Sequence, residues 1–214
     1  MIRIMKTDLE ILQELLKKIN PVWDARKSIL EMKKADFQWR QMEWFGFYFE
    51  LLCREILSKQ FQFPGEKYGT TTFDLFRTFN WDLKAHAANA GRIIQLNDCE
   101  SMRESIKKHG FHGEIVANCD IEYNDHDRSF QKWHTELKGG KSDYEIERES
   151  RTTNSRLRKT AAELKEIIFV ILSEKDLPNL DILRQGRNSN GAPRPDKYGF
   201  NLDNNDIKIT KVVF

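Results

Sequence analysis

Apolar positions recur at helical spacing near the start of the chain, in TDLEILQELLKKI, where Leu9, Leu12, Leu15, Leu16 and Ile19 share one face. Thr7 or Asp8 caps that helix and Asn20-Pro21 ends it. A longer helix is predicted from about 36 to 59, with Phe37, Trp44, Phe45, Tyr48, Leu51, Leu52 and Ile56 as its apolar stripe. Pro64-Gly65 and Gly69 then mark a loop. The period changes to two over 71–76 and 79–87, which reads as a tight hairpin with its turn near Arg77-Thr78. Asn97 or Asp98 caps a helix that Gly110 stops, 113–124 alternates as a strand, and DRSFQKWHTELKGG is a helix stopped by Gly139. LKEIIFVIL at 164–172 is rich in β-branched residues and reads as a buried strand, and IKITKVVF as the last one. Helices, hairpin, strand, helix, strand, strand is the order of an α/β domain with a central mixed β-sheet flanked by helices.

Composition narrows the class. With 214 residues, 39% of them hydrophobic and 32% charged, the chain suits one domain with its own core. We read N-terminal helices in 1–60, a core over about 61–175, and a recognition loop with the last strand in 176–214. The formal net charge of +2 excludes a general polycation, so a nucleic-acid surface has to come from local clustering. Cys53, Cys99 and Cys119 are odd in number and form no CxxC, which argues against a disulfide framework or structural zinc and fits a reducing cytoplasm. No signal-peptide pattern or transmembrane-length apolar run is visible, so no membrane is expected. P-loop, GxGxxG and GxSxG motifs are missing, and the histidines, His86 on the second hairpin arm included, do not form metal spacing with the cysteines.

The hairpin carries the chemistry. A bare (D/E)xK occurs five times, so the pattern alone means little. On a strand, however, residues two apart share a face, which puts Asn80, Asp82, Lys84 and His86 on one side and Trp81, Leu83 and Ala85 toward the core. Any half-exposed strand alternates in this way. Asp74 adds to it, because antiparallel pairing brings the first arm's acid beside Asp82 or Lys84. Two carboxylates and an ammonium at one place suit a hard divalent cation such as Mg²⁺, whose bound water can attack phosphate. EWFGFYFE on the long helix has a Glu at each end of an apolar run, and Glu50 is preferred to Glu43 as a further ligand. Gly46 between them offers a close backbone approach.

These residues resemble the PD-(D/E)xK nuclease superfamily, type II restriction endonucleases in particular. Phe73 stands where the motif carries proline, and eight residues separate Asp74 from Asp82. The resemblance spans helix 36–60, hairpin 71–87 and the strands after it, about half the chain. It implies a restriction-endonuclease-like core in which Glu50, Asp74 and Asp82 bind Mg²⁺ and, with Lys84, activate water. The competing match pairs Asp120 or Glu122 with Glu136-Leu137-Lys138, but a helix there turns Glu136 and Lys138 to different faces.

Two basic, loop-like stretches follow. RESRTTNSRLRK contains Arg151, Asn154, Arg156, Arg158 and Lys159. RQGRNSNGAPRPDKYG contains Arg184, Gln185, Arg187, Asn188, Asn190, Arg194 and Lys197, and its glycines and prolines argue against regular structure. Arg, Asn and Gln suit base edges and Lys suits phosphates, so both stretches are expected to contact double-stranded DNA rather than to be plain solvated loops. The function expected is a Mg²⁺-dependent type II restriction endonuclease, acting as a homodimer in the cytoplasm. A repair or junction-cleaving nuclease of the same superfamily is the first rival, and a non-catalytic DNA-binding protein the second.

Overall fold

A computed structural model describes residues 6–65, 73–141, 146, 157–187 and 191–214. Its elements, in chain order, are α1 (Asp8–Leu16), β1 (Val22–Asp24), α2 (Ala25–Lys34), α3 (Trp44–Leu57), β2 (Leu75–Phe76), β3 (Asn80–Ala87), β4 (Ile93–Asp98), α4 (Cys99–His109), β5 (His112–Glu122), α5 (Ser129–Leu137), β6 (Ala161–Leu172), β7 (Asp181–Leu183), β8 (Lys197–Asn201) and β9 (Ile209–Val213). The protein is mixed α/β, with a curled mixed sheet flanked by helices. The large sheet runs β1-β6-β5-β3-β2, with β9 pairing β6 as well. Within it, among the described residues, only β3 and β5 are parallel. A second, three-stranded sheet runs β4-β8-β7.

The two faces of the large sheet are covered differently. Ile115, Ala117 and Cys119 of β5 join Leu12 of α1, Ile29 of α2 and Phe49 of α3 in the main core. Alternation sends Val116 of β5 and Ile168 and Val170 of β6 the other way, where they meet Leu96, Met102, Tyr198 and Phe200 from β4, α4 and β8. This second layer corrects our picture of β3. Asn80 and Asp82, on the side that a half-exposed strand would turn to solvent, are both buried. β4 and β8 supply the cover, and short strands broken by polar residues gave too little period to be seen.

The long helix predicted over 36–59 starts late and is preceded by a helix the sequence reading did not place. α2 ends at Lys34, Asp36 and Gln38 turn into the left-handed region at φ 51° and 43°, and α3 starts only at Trp44. Trp39 is buried in this interruption, with Lys33 and Arg40 over its ring at 4.9 and 4.5 Å. Burying that indole and stacking two cations on it offsets the lost helical hydrogen bonds. Likewise the stretch 184–199 is more regular than its glycines and prolines suggested. β7 and β8 form the arms of a hairpin, and Arg187 pairs with Pro193 inside the loop.

Local chemistry sets the other boundaries. Thr7 and Glu10 close a capping box on α1, Asp24 accepts the Lys27 amide at 2.9 Å to start α2, and Gly110 at φ 81° ends α4. The buried Asp125 carboxylate takes the amides of Phe130 at 2.9 Å and Gln131 at 3.2 Å, which secures the start of α5. Cys53, Cys99 and Cys119 are buried and unpaired. Among the described residues no helix is long and apolar enough to cross a membrane.

Candidate active site

The hairpin that sequence pointed to is anchored at its turn by a residue outside it. Asp8 at the start of α1 is buried and accepts from Arg77 Nη1 at 2.6 Å, from the Thr78 amide and hydroxyl at 3.1 and 2.8 Å, and from Trp81 Nε1 at 3.2 Å. Burial raises the Asp8 carboxyl, and these donors outweigh it and hold it below its usual range. Trp81 lies over Gly113 of β5, where an added Cβ would stand 2.1 Å from the ring. β3 is thereby fixed against its parallel neighbour, with Asp82 opposite Glu114 and Lys84 opposite Val116.

β2 pairs with β3 only at Asn80 and Trp81. Asp74 then takes over from the ladder: its amide donates to Trp81 O at 3.1 Å, and its Oδ2 accepts the Leu83 amide at 2.7 Å. Among the described residues no strand pairs this edge of β3 beyond that point, and it forms the floor of a cleft of about 700 Å³. α3 walls the cleft on one side with Glu50 and Arg54. Asn97 and Asp98 of β4 and Lys197 of β8 wall the other, and Lys159 stands beside Glu43 at the rim.

Inside the cleft the acids and the lysine meet. The Asp74 and Asp82 carboxyls are hydrogen-bonded to each other, and Lys84 Nζ is ion-paired with Asp82. Burial, with the Asp82 charge beside it, pushes Asp74 up to about 9. Burial also acts on Asp82, but Lys84 and the proton shared with Asp74 bring it below the ordinary value. Two carboxyls sharing one proton is what like charges at contact do in a low-dielectric site. Lys84 is raised: burial opposes its charge, and Asp82, Glu114 and Asp74 more than compensate. Glu50 is raised by burial despite its ion pair with Arg54 at 3.2 Å.

The residues singled out from sequence thus divide. Glu50, Asp74, Asp82 and Lys84 line one cleft. Glu43 sits at the N-cap of α3, exposed and paired with Lys159, on the same cleft's rim. Gly46 is not sterically required, because a Cβ there would meet Ala85 Cβ at an ordinary 3.7 Å. Glu136 and Lys138 lie on α5 and at its C-cap, away from the lining of this cleft. His86 lines it and contacts Gly91 O at 2.9 Å. Of the basic residues, Lys159 and Lys197 reach the cleft. Burial and the nearby Lys84 lower Lys197. Arg184, Arg187 and Arg194 are exposed on the β7–β8 hairpin, Arg187 Nη1 donating to Gly191 O at 2.8 Å, and Gln185 donates to Leu183 O at 3.2 Å. Arg158 adjoins Met42. Arg151, Asn154, Arg156, Asn188 and Asn190 lie outside the described residues.

Sequence reading missed Arg54 and Glu114. Glu114 is fully buried beside Lys84, one oxygen accepting the Asn97 amide at 3.0 Å and the other without a partner among the described residues. His112 stands 3.4 Å from that first oxygen and 3.2 Å from Ser105 Oγ. Ser105, His112 and Glu114 are buried, so this row is sealed from any acyl substrate and does not form a serine hydrolase site. An acid on β5 was visible in GEIVANCD, but its neighbourhood depended on the strand register.

The donor set at the hairpin is all oxygen, and a divalent cation would replace the proton that Asp74 and Asp82 share. Among the described residues no three His, Cys, Asp or Glu side chains are grouped closely enough to hold a metal ion by themselves. No family model, curated protein or solved structure matches this chain.

Proposed function

We propose that this protein is a Mg²⁺-dependent endonuclease that hydrolyses phosphodiester bonds of double-stranded DNA, in the manner of a type II restriction enzyme. One observation carries the reading: Asp74 and Asp82, from the two arms of a hairpin, meet beside Lys84 on an open sheet edge at the floor of a cleft walled by Lys197 and Lys159. A phosphodiester in that cleft would have acids beneath it and cations at its sides.

Asp74 and Asp82 would hold the metal ion, with Glu50 lining the same cleft from α3, and the bound ion would supply charge for the attacking water and the phosphoryl oxygens. Lys84 is held as an ammonium by Asp82, Glu114 and Asp74, so its role is to donate to the attacking water and offset charge gathering on phosphorus, rather than to act as a base. The water oxygen bonds to phosphorus as the bridging P–O bond breaks; the water gives up a proton to bulk solvent, and the leaving oxygen takes one from it. Lys197 and Lys159 would draw in the backbone on either side, and the β7–β8 hairpin, with Arg184, Arg187 and Arg194, would lie along the duplex to read it. A homodimer would match a two-fold recognition sequence.

Plasmid digestion with Mg²⁺, and with EDTA as control, tests the reading. Discrete fragments support it. Cutting confined to branched or damaged DNA would make the protein a structure-specific nuclease, and DNA binding without cleavage would make it a binder. Asp82→Ala should lose on the order of 10²-fold or more in rate, the scale of removing a central electrostatic group, while binding the same duplex in Ca²⁺.

A further inference from the structure

Glu114 enters the reaction above only as a charge near Lys84, yet its hydrogen bond is made to a wall of the cleft. That bond exists because β4 is irregular. Gln95 pairs with Gly199 and Asp98 with Lys197, so Leu96 and Asn97 together stand opposite Tyr198 alone. A bulge of this kind leaves a residue of the longer strand outside the ladder. The Asn97 amide donates instead to Glu114 Oε1 at 3.0 Å, from the small sheet to the large one. Asn97 and Asp98 line the cleft, and Asp98 also caps α4 by accepting the Ser101 amide at 2.8 Å. Lys197 is the residue paired with Asp98 on β8. On β5, Glu114 is paired with Asp82 of the floor. One fully buried carboxylate therefore joins floor and wall. His112, two residues back on the same face of β5, braces the joint. Its Nε2 is 3.4 Å from Glu114 Oε1 and its Nδ1 is 3.2 Å from Ser105 Oγ of α4. The Glu114 charge also reaches the cations on both sides. Burial opposes the charge of Lys84, and Glu114 is among the acids that restore it; burial and Lys84 lower Lys197, and Glu114 acts against them.

From this we infer that Glu114 is a positioning residue: by holding the Asn97 amide it sets where the β4–β8 wall, and with it Lys197, stands relative to Asp82 and Lys84. The inference rests on the DNA-cleaving reading above and requires no bound ion. An acid that served the core alone would change stability when removed. One that places the wall also changes what Lys197 does to DNA, although the two side chains act on different sheets.

A double-mutant cycle on the full chain tests it, read by binding of a short duplex in EDTA across salt concentrations and by hydrogen exchange at the Asn97 amide. Glu114→Met removes the acceptor. Exchange at Asn97 should quicken, and the salt slope of binding should fall by about one, as if the Lys197 phosphate contact were lost. Lys197→Ala should lower the slope equally, and the double variant no further than either alone. Glu114→Gln keeps an acceptor oxygen of the same reach, so it should retain both the slow exchange and the full slope. Thermal melting accompanies each variant. If Glu114→Met does not fold, Glu114→Asp takes its place, keeping the charge and falling short of Asn97, and the same pattern is expected. An unchanged slope or unchanged Asn97 exchange in these variants would overturn the inference. So would a double variant that loses about two from the slope, or a Glu114→Gln protein as impaired as Glu114→Met. In each of those cases duplex binding by the unaltered protein leaves the reading of the cleft as a DNA site standing. An unaltered protein that binds no duplex would overturn both.

Discussion

Asp74 keeps its proton in the folded protein to about pH 9, although an unfolded aspartate loses it near 3.8. The folded state therefore binds more protons than the unfolded one between those values, and stability falls as pH rises through that window. The slope belongs to the Asp74–Asp82 pair, because the two titrate together. In EDTA, melting temperature should decline from about pH 5 to pH 9, and Asp74→Asn should flatten the decline. An unchanged slope in Asp74→Asn would show that the proton lies elsewhere. Asp8 has the opposite sign: held below its usual value, it contributes stability at neutral pH that is lost on acidification. Asp8→Ala strands Arg77, Thr78 and Trp81 donors and should cost roughly 1–3 kcal/mol in urea titration, the usual penalty for unpaired buried polar groups. The spacing of Asp74, Asp82 and Lys84 was legible in the sequence, because strand alternation is a local rule. Their shared proton was not, since it follows from the way separate elements, α3, β4 and the distant β8, pack around the hairpin. Arg54 stood in plain view on the predicted helix but looked like any solvated arginine.

At the scale of elements, long periodic segments were readable and short ones were not. β5 and β6, 11 and 12 residues long, fall close to the spans expected from alternation at 113–124 and from β-branched residues at 164–172. α2 escaped notice because its buried stripe is only Ala25, Ser28, Ile29 and Met32 among charged neighbours. β4, β7 and β8 escaped because three to six residues carry too few alternations. The junction of β3 with β5 admits a sharp test. Gly113→Ala would drive a methyl into the Trp81 indole, which is pinned from behind by Asp8, so neither side can yield cheaply. Overpacking of this kind typically costs about 1–3 kcal/mol, and here cleavage should fall with stability because β3 carries Asp82 and Lys84. A Gly113→Ala protein with unaltered melting temperature would mean that the indole has another resting place.

For the whole molecule, the small net charge matters less than where cations stand. Lys197 reaches the cleft from a different sheet than Lys84, so under the nuclease reading its contribution to DNA binding would be separable from the chemistry. Lys197→Ala should weaken cognate and scrambled duplexes alike and lower the salt slope of binding by about one, as expected for one lost phosphate contact. Discrimination lost at a single base pair would instead make Lys197 a base reader. The order in which these parts join the chain has its own consequence for the living cell. β2, β3 and Lys84 leave the ribosome early, but the strand that brings Lys197 comes more than a hundred residues later, and β9 zips onto β6 only after that. A half-made chain thus carries its acids before the cation that β8 brings to the cleft. If the cleft holds DNA, its full grip on the backbone would come only once β8 has been made.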